Sequence, residues 1–269
     1  MKVNNKDFYR ITSFIKQNYG VDLNQKRTVV EESLDKILLN CNFTDLDQLL
    51  NVLEKKNDEI INSKVIGLLL TNYTYFLREP SHFEILSEVI LPKIYNNGNK
   101  KKGIRVWSAA TSSGQEAYSI LMAVLNFLKE EIRDWNVEII ATDVSQAMIK
   151  KAKAGIYQKE EVEKIPDDWL QHYFNVCIDG SYKIKDSLKE YVKFKLLNLL
   201  SDFEFEKLFQ VIFLRNVLIY FDSELIEQIV DKVADFLEVG GYLFIGFTET
   251  IEIKSSKLIC IQPSVYRKI

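Results

Sequence analysis

Apolar and polar residues alternate with a helical period over the first 80 positions of the chain. One apolar face, spaced at steps of three and four residues, consists of Phe8, Ile11, Phe14 and Ile15. The same period predicts three further helices, over residues 25–39, 44–55 and 58–70. Thr44 and Asp58 stand at the starts of the last two, where a short polar side chain caps free N–H groups. We therefore expect a small all-helical domain over residues 1–80.

Another helix is predicted over residues 81–95, and a polar stretch follows it. The stretch reads NNGNKKKG at residues 96–103, and its composition is typical of an exposed connection. We assign residues 81–103 to a linker and residues 104–269 to a second domain.

After residue 103, short apolar runs alternate with helical patterns. The runs lie at 104–107, 137–142, 211–215 and 241–247, and the helical patterns lie at 115–131, 145–154 and 223–237. Alternation of this kind predicts an α/β domain, in which a mainly parallel sheet is covered by helices on both faces. The last apolar stretch, residues 257–267, is expected to pair antiparallel at the sheet edge.

Residues 155–195 break this alternation. A helix predicted near residues 167–174 is followed by CIDGSYKIK, in which Asp179 and Gly180 have the residue types of a tight hairpin turn. We interpret this region as a small inserted β-subdomain.

The residues that directly follow the predicted strands carry the candidate chemistry, because open α/β sheets bind ligands at the carboxyl ends of their strands. Glu116 and Asp143 follow the first and second strands, and Arg215 and Asn216 follow the third. The Asp143 carboxylate has the two oxygens needed to accept hydrogen bonds from a ribose diol. The structural alternatives are that Asp143 caps the next helix and that Glu116 lies at a helix N-terminus because its charge is favoured there.

The first of these strand ends, SAATSSG at residues 108–114, is rich in small side chains that let a ligand approach the backbone. It contains one glycine, whereas a dinucleotide fingerprint has three, and it lacks the Gly-Lys-Ser/Thr of a P-loop. Pyrophosphate binding and a nicotinamide-dependent oxidoreductase are therefore disfavoured. A ligand with an adenosine and no phosphate fits better.

Charge and composition disfavour several other classes of function. The chain has 269 residues and a net charge of −3, without the excess of Lys and Arg that nucleic-acid binding uses. Its apolar runs are too short to span a bilayer and its N-terminus has no signal-peptide pattern, so we expect a cytoplasmic protein without membrane insertion. His82 and His172 are the only histidines, too few for a histidine-rich site, and no metal is predicted.

Five segments of the chain resemble the successive motifs of one enzyme family. They are TNYTYFLREPSHF (71–83), RVWSAATSSGQEAYSI (105–120), ATDVSQAMIKKAKAGIY (141–157), VIFLRNVLIYFD (211–222) and GGYLFIGFTE (240–249). These segments are similar to the CheR family, the chemotaxis-receptor glutamate O-methyltransferases. The resemblance implies an all-helical domain, then a Rossmann-like S-adenosylmethionine-dependent methyltransferase domain with an inserted β-subdomain.

The resemblance also implies roles for particular residues. The cofactor-binding residues would be Asn72, Thr74, Arg78, Glu116, Asp143, Asn198, Leu199, Asn216 and Val217. Glu116 would hold the amino-acid part of the cofactor and Asp143 its ribose. Arg78 and Tyr220 are the candidate catalytic residues, and whether Arg78 binds the carboxylate of the substrate or of the cofactor stays open. The structural alternatives are a surface ion pair between Arg78 and Glu79, and a place for Tyr220 in the core.

The implied partner is the cytoplasmic region of a chemoreceptor or a related signalling protein, whose glutamates would become methyl esters with release of S-adenosylhomocysteine. Two features depart from the family pattern. Residues 26–40 carry three acidic residues where well-studied members are rich in arginine, and residues 175–190 form a short segment, which argues against docking of a receptor tail. Two alternatives stay open: a methyltransferase with a different carboxylate or protein acceptor, and a non-catalytic module that binds S-adenosylmethionine or S-adenosylhomocysteine.

Overall fold

The computed structural model describes residues 2–55, 58–70, 72–97, 103–252 and 257–269. Four helices form its N-terminal part. They are α1 (Asn5–Tyr19), α2 (Arg27–Cys41), α3 (Leu46–Lys55) and α4 (Glu59–Leu69). Their apolar faces meet in one core, which contains the predicted face Phe8, Ile11, Phe14 and Ile15. The predicted all-helical first part of the chain is confirmed.

Carboxylates cap two of these helices. The Asp58 carboxylate accepts a hydrogen bond from the Ile61 N–H, which confirms its predicted role at the start of α4. The prediction for Thr44 is wrong, because the Asp45 carboxylate accepts from the Gln48 N–H at 2.9 Å and the helix begins one residue later. The Thr44 hydroxyl donates to Asp45 instead.

A continuous helical segment follows. It consists of α5 (Pro80–Ile85), a π-helical turn (Leu86–Ile90) and α6 (Leu91–Asn96), and it covers the helix predicted over residues 81–95. Residues 98–102 of the predicted exposed connection lie outside the described residues. The domain division at residues 80 and 103 stays a prediction. Throughout the described ranges, each helix is too short or too polar to cross a bilayer.

The rest of the chain forms two sheets. In chain order its elements are β1 (Ile104–Ser108), α7 (Gln115–Leu128), β2 (Val137–Asp143), α8 (Gln146–Ala154), β3 (Ile156–Tyr157), α9 (Lys159–Val162), α10 (Asp167–Tyr173), β4 (Phe174–Val176), β5 (Tyr182–Ile184), α11 (Asp186–Lys189), β6 (Val192–Leu196), β7 (Phe209–Leu214), α12 (Ser223–Asp235), β8 (Leu237–Ile245), β9 (Leu258–Gln262) and β10 (Val265–Lys268). The large sheet has the strand order β6-β2-β1-β7-β8-β10-β9, and the small sheet has the order β3-β5-β4.

The large sheet is parallel from β6 to β8, and β10 and β9 complete one edge as an antiparallel hairpin. Both of its faces are buried. Val106, Val211 and Phe213 pack on one side with residues of α7, whereas Trp107 and Ile212 belong to the core under α12. Strands buried on both faces are near-continuously apolar, which is why their runs are visible in the sequence. The predicted Rossmann-like α/β fold and its antiparallel edge are confirmed.

The strand β6 was not predicted from the sequence, because residues 192–195 were assigned to the inserted β-subdomain. Its sequence is VKFKL, and Val192 and Phe194 are buried whereas the lysines after them are exposed. This period of two is typical of a strand with one solvated face. β6 pairs with β2 at the edge of the sheet, where one solvated face is tolerated.

The predicted hairpin forms between β4 and β5, in the inserted β-subdomain. Gly180 has a φ of +80° and its N–H donates to the Cys177 carbonyl, a turn conformation that favours glycine. The Asp179 carboxylate accepts hydrogen bonds from both the N–H and the hydroxyl of Ser181. The turn is therefore organised by its own side chains.

Helix α4 packs against the turn between β2 and α8. The Ser63 hydroxyl donates to the Val144 carbonyl and accepts from the Gln146 N–H, both at 2.7 Å. One helical turn later, Gly67 lies so close to Ser145 that an added Cβ would be 2.2 Å from its hydroxyl oxygen. The helical domain therefore holds the turn that directly follows β2.

We predict that Gly67→Ala lowers the free energy of unfolding by about 1–3 kcal/mol, because the new methyl group overlaps Ser145 in a packed contact. Alanine is the better helix former by about 1 kcal/mol, so the overlap must exceed that gain. Urea denaturation followed by tryptophan fluorescence measures the effect, with Lys64→Ala on the same helix as the control. A Gly67→Ala protein as stable as the parent would contradict this prediction.

His82 connects α5 to the C-terminal hairpin. Its side chain is 1% exposed, its Nε2 lies 2.7 Å from the Ser264 hydroxyl, and its ring packs against Phe247. Burial and the nearby Arg215 guanidinium lower the pKa of His82 from 6.5 to about 4, against the opposing attraction of Glu79. The folded protein therefore keeps this imidazole neutral at pH values where the unfolded chain protonates it.

Because the folded-state pKa is the lower one, the free energy of unfolding is expected to fall as the pH drops from 6.5 to about 4, with up to about 3 kcal/mol of the loss due to His82. His82→Gln removes this part of the pH dependence, whereas His172→Gln, at an exposed position, retains it. Urea denaturation across this range measures both slopes. The prediction fails if His82→Gln and the parent lose stability in parallel.

Candidate active site

The large sheet has a switch point between β1 and β7. From β1 the chain continues through β2 to β6 on one side, and from β7 it continues through β8 to the C-terminal hairpin on the other. Such a reversal leaves a crevice at the carboxyl ends of the strands, where open α/β sheets bind ligands. A cavity with about 940 Å³ of empty space, part of it open to solvent, lies there. All ten residues singled out from the sequence line it: Asn72, Thr74, Arg78, Glu116, Asp143, Asn198, Leu199, Asn216, Val217 and Tyr220.

The loop after β1 forms one wall of the cavity with its main chain and small side chains. The lining residues are Ala109, Ala110 and Ser112. Ser112 has a φ of +52°, and its N–H donates to Asp143 Oδ2 at 2.8 Å. Gly114, at a φ of +94°, is the N-cap residue just before α7, and a Cβ there would lie 2.8 Å from the Ala152 side chain. Small residues are therefore required both for the ligand space and for packing of the loop.

Asp143 ends β2 and is 8% exposed. Its Oδ1 accepts from the Ser145 N–H at 2.8 Å, and its Oδ2 accepts from Ser112. Burial raises the pKa of this carboxyl, and the backbone hydrogen bonds partly oppose the rise. The alternative that Asp143 caps α8 is wrong, because the Ser145 hydroxyl accepts from the Met148 N–H and is the cap.

Glu116 lies both in the first turn of α7 and in the cavity wall. The Ser108 hydroxyl donates to its Oε1 at 2.7 Å, and Arg215 Nη1 lies 3.3 Å from its Oε2. Burial raises the pKa of Glu116, while the positive charge of Arg215 and the Ser108 hydrogen bond act in the opposite direction. Its position at a helix N-terminus also favours negative charge. The structural alternative, that Glu116 stabilises the start of α7, is therefore compatible with its place in the cavity wall.

Arg215 is the buried cation of the site, with a side chain that is 1% exposed. Its Nη2 donates to the Glu79 carboxylate at 3.0 Å and to the Arg78 carbonyl, and Glu116 lies on its other side. Burial raises the pKa of Glu79, but the Arg215 charge and a hydrogen bond from Asn216 outweigh it and lower the pKa. The alternative of a surface pair between Arg78 and Glu79 is therefore wrong, because Glu79 pairs with Arg215.

The segment before α5 lies along the cavity and contributes Asn72, Tyr73, Thr74, Tyr75 and Arg78 to its lining. Asn72 Nδ2 donates to the Gly67 carbonyl at 2.7 Å, and the Asn72 carbonyl accepts from the Ser112 hydroxyl. Arg78 Nη1 donates to the Tyr73 carbonyl at 3.0 Å. These contacts attach the segment before α5 to α4 and to the loop after β1.

The residues after β7 close another side of the cavity. Asn216 has a φ of +57°, its Nδ2 donates to Glu79 Oε1 at 3.1 Å, and its N–H donates to Glu249 at 2.8 Å. Val217 and Tyr220 also line the cavity, and the half-buried Tyr220 packs against the core of the helical domain as well. Sequence analysis did not single out Glu249, although a carboxylate two residues after the apolar run 241–247 was an available signal.

Asn198 joins the sheet to the helical domain. Its Nδ2 donates to the Asn18 carbonyl, 180 residues earlier, at 2.8 Å, and its Oδ1 accepts from the Leu200 N–H. Tyr19 and Val21 line the same cavity, and sequence analysis did not identify them. No local pattern predicts a contact between segments so far apart in the sequence. The place of these residues in the cavity wall could therefore be identified only from the structure.

The cavity suits a nucleoside that carries an amino acid. The Asp143 carboxylate, fixed by two backbone N–H groups, has oxygens that can accept from a diol, and Glu116 can bind an ammonium group. Leu199 and Val217 offer apolar contacts to a flat base. These residues therefore fit S-adenosylmethionine.

Two family models match this chain. Residues 72–266 match the SAM binding domain of the CheR methyltransferases, and residues 6–62 match the all-alpha domain of the same enzymes. The first match contains all ten of the cavity residues singled out from the sequence, including both carboxylates Glu116 and Asp143.

Relatives match over nearly the whole length. The chemotaxis protein methyltransferase of Borreliella burgdorferi is 35% identical over 274 aligned positions, which cover 100% of this chain and 96% of that protein. Chemotaxis protein methyltransferase 1 of Pseudomonas aeruginosa is 33% identical, with 93% and 92% covered. The chemotaxis protein methyltransferase of Escherichia coli is 33% identical, with 96% and 89% covered. The chain, which carries both domains and a cavity that fits the cofactor, belongs to the CheR methyltransferase family.

Proposed function

We propose that this protein transfers methyl groups from S-adenosylmethionine to glutamate side chains of a chemoreceptor-like signalling protein in the cytoplasm. It is a chemotaxis-type methyltransferase with a SAM binding domain, and the proposal concerns its acceptor and its residues. One observation carries it: Glu116 and Asp143, at neighbouring strand ends, line the same cavity as Arg78, which lies just before α5. This set offers binding groups for the cofactor and for a carboxylate acceptor. The products are a glutamate methyl ester and S-adenosylhomocysteine.

The sheet residues hold the cofactor in this proposal. Glu116 binds its amino group, and Asp143 binds the ribose hydroxyls. Further contacts are assigned to Asn72 and Thr74 in the segment before α5, to Asn198 and Leu199 beside the adenine, and to Asn216 and Val217 below the methyl donor. When bound, the cofactor supplies a methyl group on a sulfonium centre.

An ionised acceptor removes the need for a general base. A glutamate side chain with a pKa near ~4.3 is already charged at neutral pH, so its oxygen can accept a methyl group without losing a proton. The contribution of the protein is to position this carboxylate, an effect that can supply roughly 7–11 kcal/mol. Arg78 lies in the cavity wall with its guanidinium 5.8 Å from the Tyr75 ring, where it can bind a carboxylate, and Tyr220 orients the acceptor.

The charges on α2 bear on the choice of acceptor. Arg27 donates to the Val3 carbonyl at 2.7 Å and lies 3.2 Å from the Glu31 carboxylate, so its charge is engaged within the helical domain. Glu32 and Asp35 are exposed on the same helix. Steering of a strongly acidic receptor helix by α2 is therefore weak. We expect an acceptor whose charge pattern around the methylated glutamates is less acidic.

Incubation with methyl-labelled S-adenosylmethionine and the purified cytoplasmic fragment of a chemoreceptor from the same organism tests the acceptor. A glutamate methyl ester releases volatile methanol in mild base, whereas an N-methyl group is retained. We expect base-labile label on the fragment, and none when its candidate glutamates are replaced by alanine. An unlabelled receptor, with tight cofactor binding by the same preparation, would contradict the receptor acceptor and favour another acceptor or a non-catalytic module.

Asp143→Asn and Arg78→Lys are expected to impair different steps. Asp143→Asn weakens binding of S-adenosylhomocysteine by about 10–100-fold, since a hydrogen bond to a charged group contributes about 1.5–3 kcal/mol. Arg78→Lys loses the bidentate geometry for a carboxylate and lowers kcat/KM for the acceptor by about tenfold or more. Isothermal titration and initial rates measure the two effects, with Arg133→Lys at an exposed position as the control.

The same data decide between the two assignments of Arg78. Unchanged cofactor affinity in Arg78→Lys assigns the residue to the acceptor, and weakened affinity assigns it to the cofactor carboxylate. Loss of folding in both variants, seen by thermal denaturation, would contradict functional roles and indicate structural ones.

A further inference from the structure

Glu249 is a buried carboxylate just after β8, and it lies outside the cavity lining. It is 6% exposed, and its two oxygens accept hydrogen bonds from four backbone N–H groups. The donors are Asn216 at 2.8 Å and Gly246 at 2.6 Å to Oε2, and Leu218 at 2.7 Å and Ile219 at 3.3 Å to Oε1. One side chain thereby connects the carboxyl ends of the neighbouring strands β7 and β8 at the cavity.

The segment that Glu249 holds has an unusual backbone. Asn216 has a φ of +57°, in the left-handed region that few residues other than glycine adopt, and a 3-10 turn at Leu218–Tyr220 follows it. The three N–H groups that this segment directs at Glu249 belong to residues after the end of β7, beyond the sheet ladder. A carboxylate with several acceptor sites satisfies all of them at once, so it stabilises this conformation over others.

Gly246 provides the space for this arrangement. A Cβ at Gly246 would lie 2.5 Å from Asn216 Nδ2 and 2.8 Å from Glu249 Oε2. The Asn216 amide that occupies this space donates to Glu79, the partner of Arg215. Glu249 thus contacts Asn216, and Asn216 contacts Glu79, so the position of the Glu249 carboxylate affects the charged residues Glu79 and Arg215.

We propose that Glu249 is a positioning residue, which fixes residues 216–220 so that Asn216, Val217 and Tyr220 meet the cofactor and the acceptor. This inference rests on the proposed roles of those three residues. Glu249 acts through the backbone that it binds and touches neither ligand.

Glu249→Gln tests the proposal with little change in shape. Its amide NH₂ replaces one carboxylate oxygen, so one pair of backbone N–H groups faces a donor. Asp179→Asn is the matched control, because it makes the same carboxylate-to-amide change in a turn of the inserted hairpin, where Asp179 accepts from the Ser181 N–H. Isothermal titration with S-adenosylhomocysteine is done at a temperature at which circular dichroism shows every variant fully folded.

We expect the Kd of Glu249→Gln to rise by about tenfold, and its kcat to fall further at saturating cofactor, because misplaced contacts impair both binding and transfer. Asp179→Asn retains the parent's values. A folded Glu249→Gln protein whose Kd and kcat change no more than those of Asp179→Asn would overturn the proposal and leave Glu249 with a structural role only.

Two further variants keep the outcome decisive. If Glu249→Gln does not fold, Gly246→Ala replaces it, because the added Cβ overlaps both the Asn216 amide and Glu249 Oε2 and so disturbs their contact without removing the carboxylate. Parent-like binding in Gly246→Ala overturns the proposal. Asn216→Ala separates this inference from the proposed function. A parent-like Kd in Asn216→Ala refutes the assignment of Asn216 to the cofactor, whereas a weakened Kd in Asn216→Ala with an unaffected Glu249→Gln refutes the positioning role alone.

Discussion

The cavity depends on one buried cation, Arg215, held between the carboxylates of Glu79 and Glu116. Removal of a guanidinium from water costs several kcal/mol, so Arg215 requires compensating charges at close range, and loss of one partner of such a pair costs about 3–5 kcal/mol. The two carboxylates lie 3.0 Å and 3.3 Å from it. Because the three residues come from the end of β7, the start of α5 and α7, this ion triad fixes the three segments around the cavity relative to one another.

The same triad distinguishes the two carboxylates, Glu116 and Asp143, that line the cavity. Burial raises the pKa of Glu116, but Arg215 favours its ionised form, so the carboxylate is prepared to pair with a cationic group. Asp143 relies on the backbone N–H groups of Ser112 and Ser145, which fix its oxygens in place. Glu116 is thus suited to a positively charged group and Asp143 to hydroxyl groups. These two preferences match the amino group and the ribose of the cofactor.

Much of the site could be predicted from the sequence because it lies at strand ends. Glu116 and Asp143 follow buried apolar runs, and parallel strands bring their carboxyl ends to one edge, so local patterns sufficed. The pairing of Glu79 could not be predicted, because its partner Arg215 lies 136 positions later in the sequence and Glu79 itself has a left-handed backbone, with a φ of +60°. Backbone conformation of this kind leaves no signal in the pattern of apolar residues.

Contacts between segments that are distant in the sequence were the other feature that could not be predicted. The hydrogen bond from Asn198 to the Asn18 carbonyl joins elements 180 residues apart, and it brings Tyr19 of the helical domain into the cavity wall. The strand β6 was missed for a different reason, since its alternating lysines conceal an edge strand inside a region that otherwise forms the insertion. The helical domain therefore has a core of its own and also forms part of the cavity wall.

The contribution of Glu116 to cofactor recognition can be measured directly by isothermal titration with S-adenosylhomocysteine and with 5′-methylthioadenosine, which lacks the amino-acid group. We expect the parent protein to prefer S-adenosylhomocysteine by about 10–100-fold, because a charged hydrogen-bonded pair contributes about 1.5–3 kcal/mol. In Glu116→Gln, which retains the shape of the side chain, this preference should largely disappear. An undiminished preference in Glu116→Gln would contradict the assignment of the Arg215-supported carboxylate to the amino group of the cofactor.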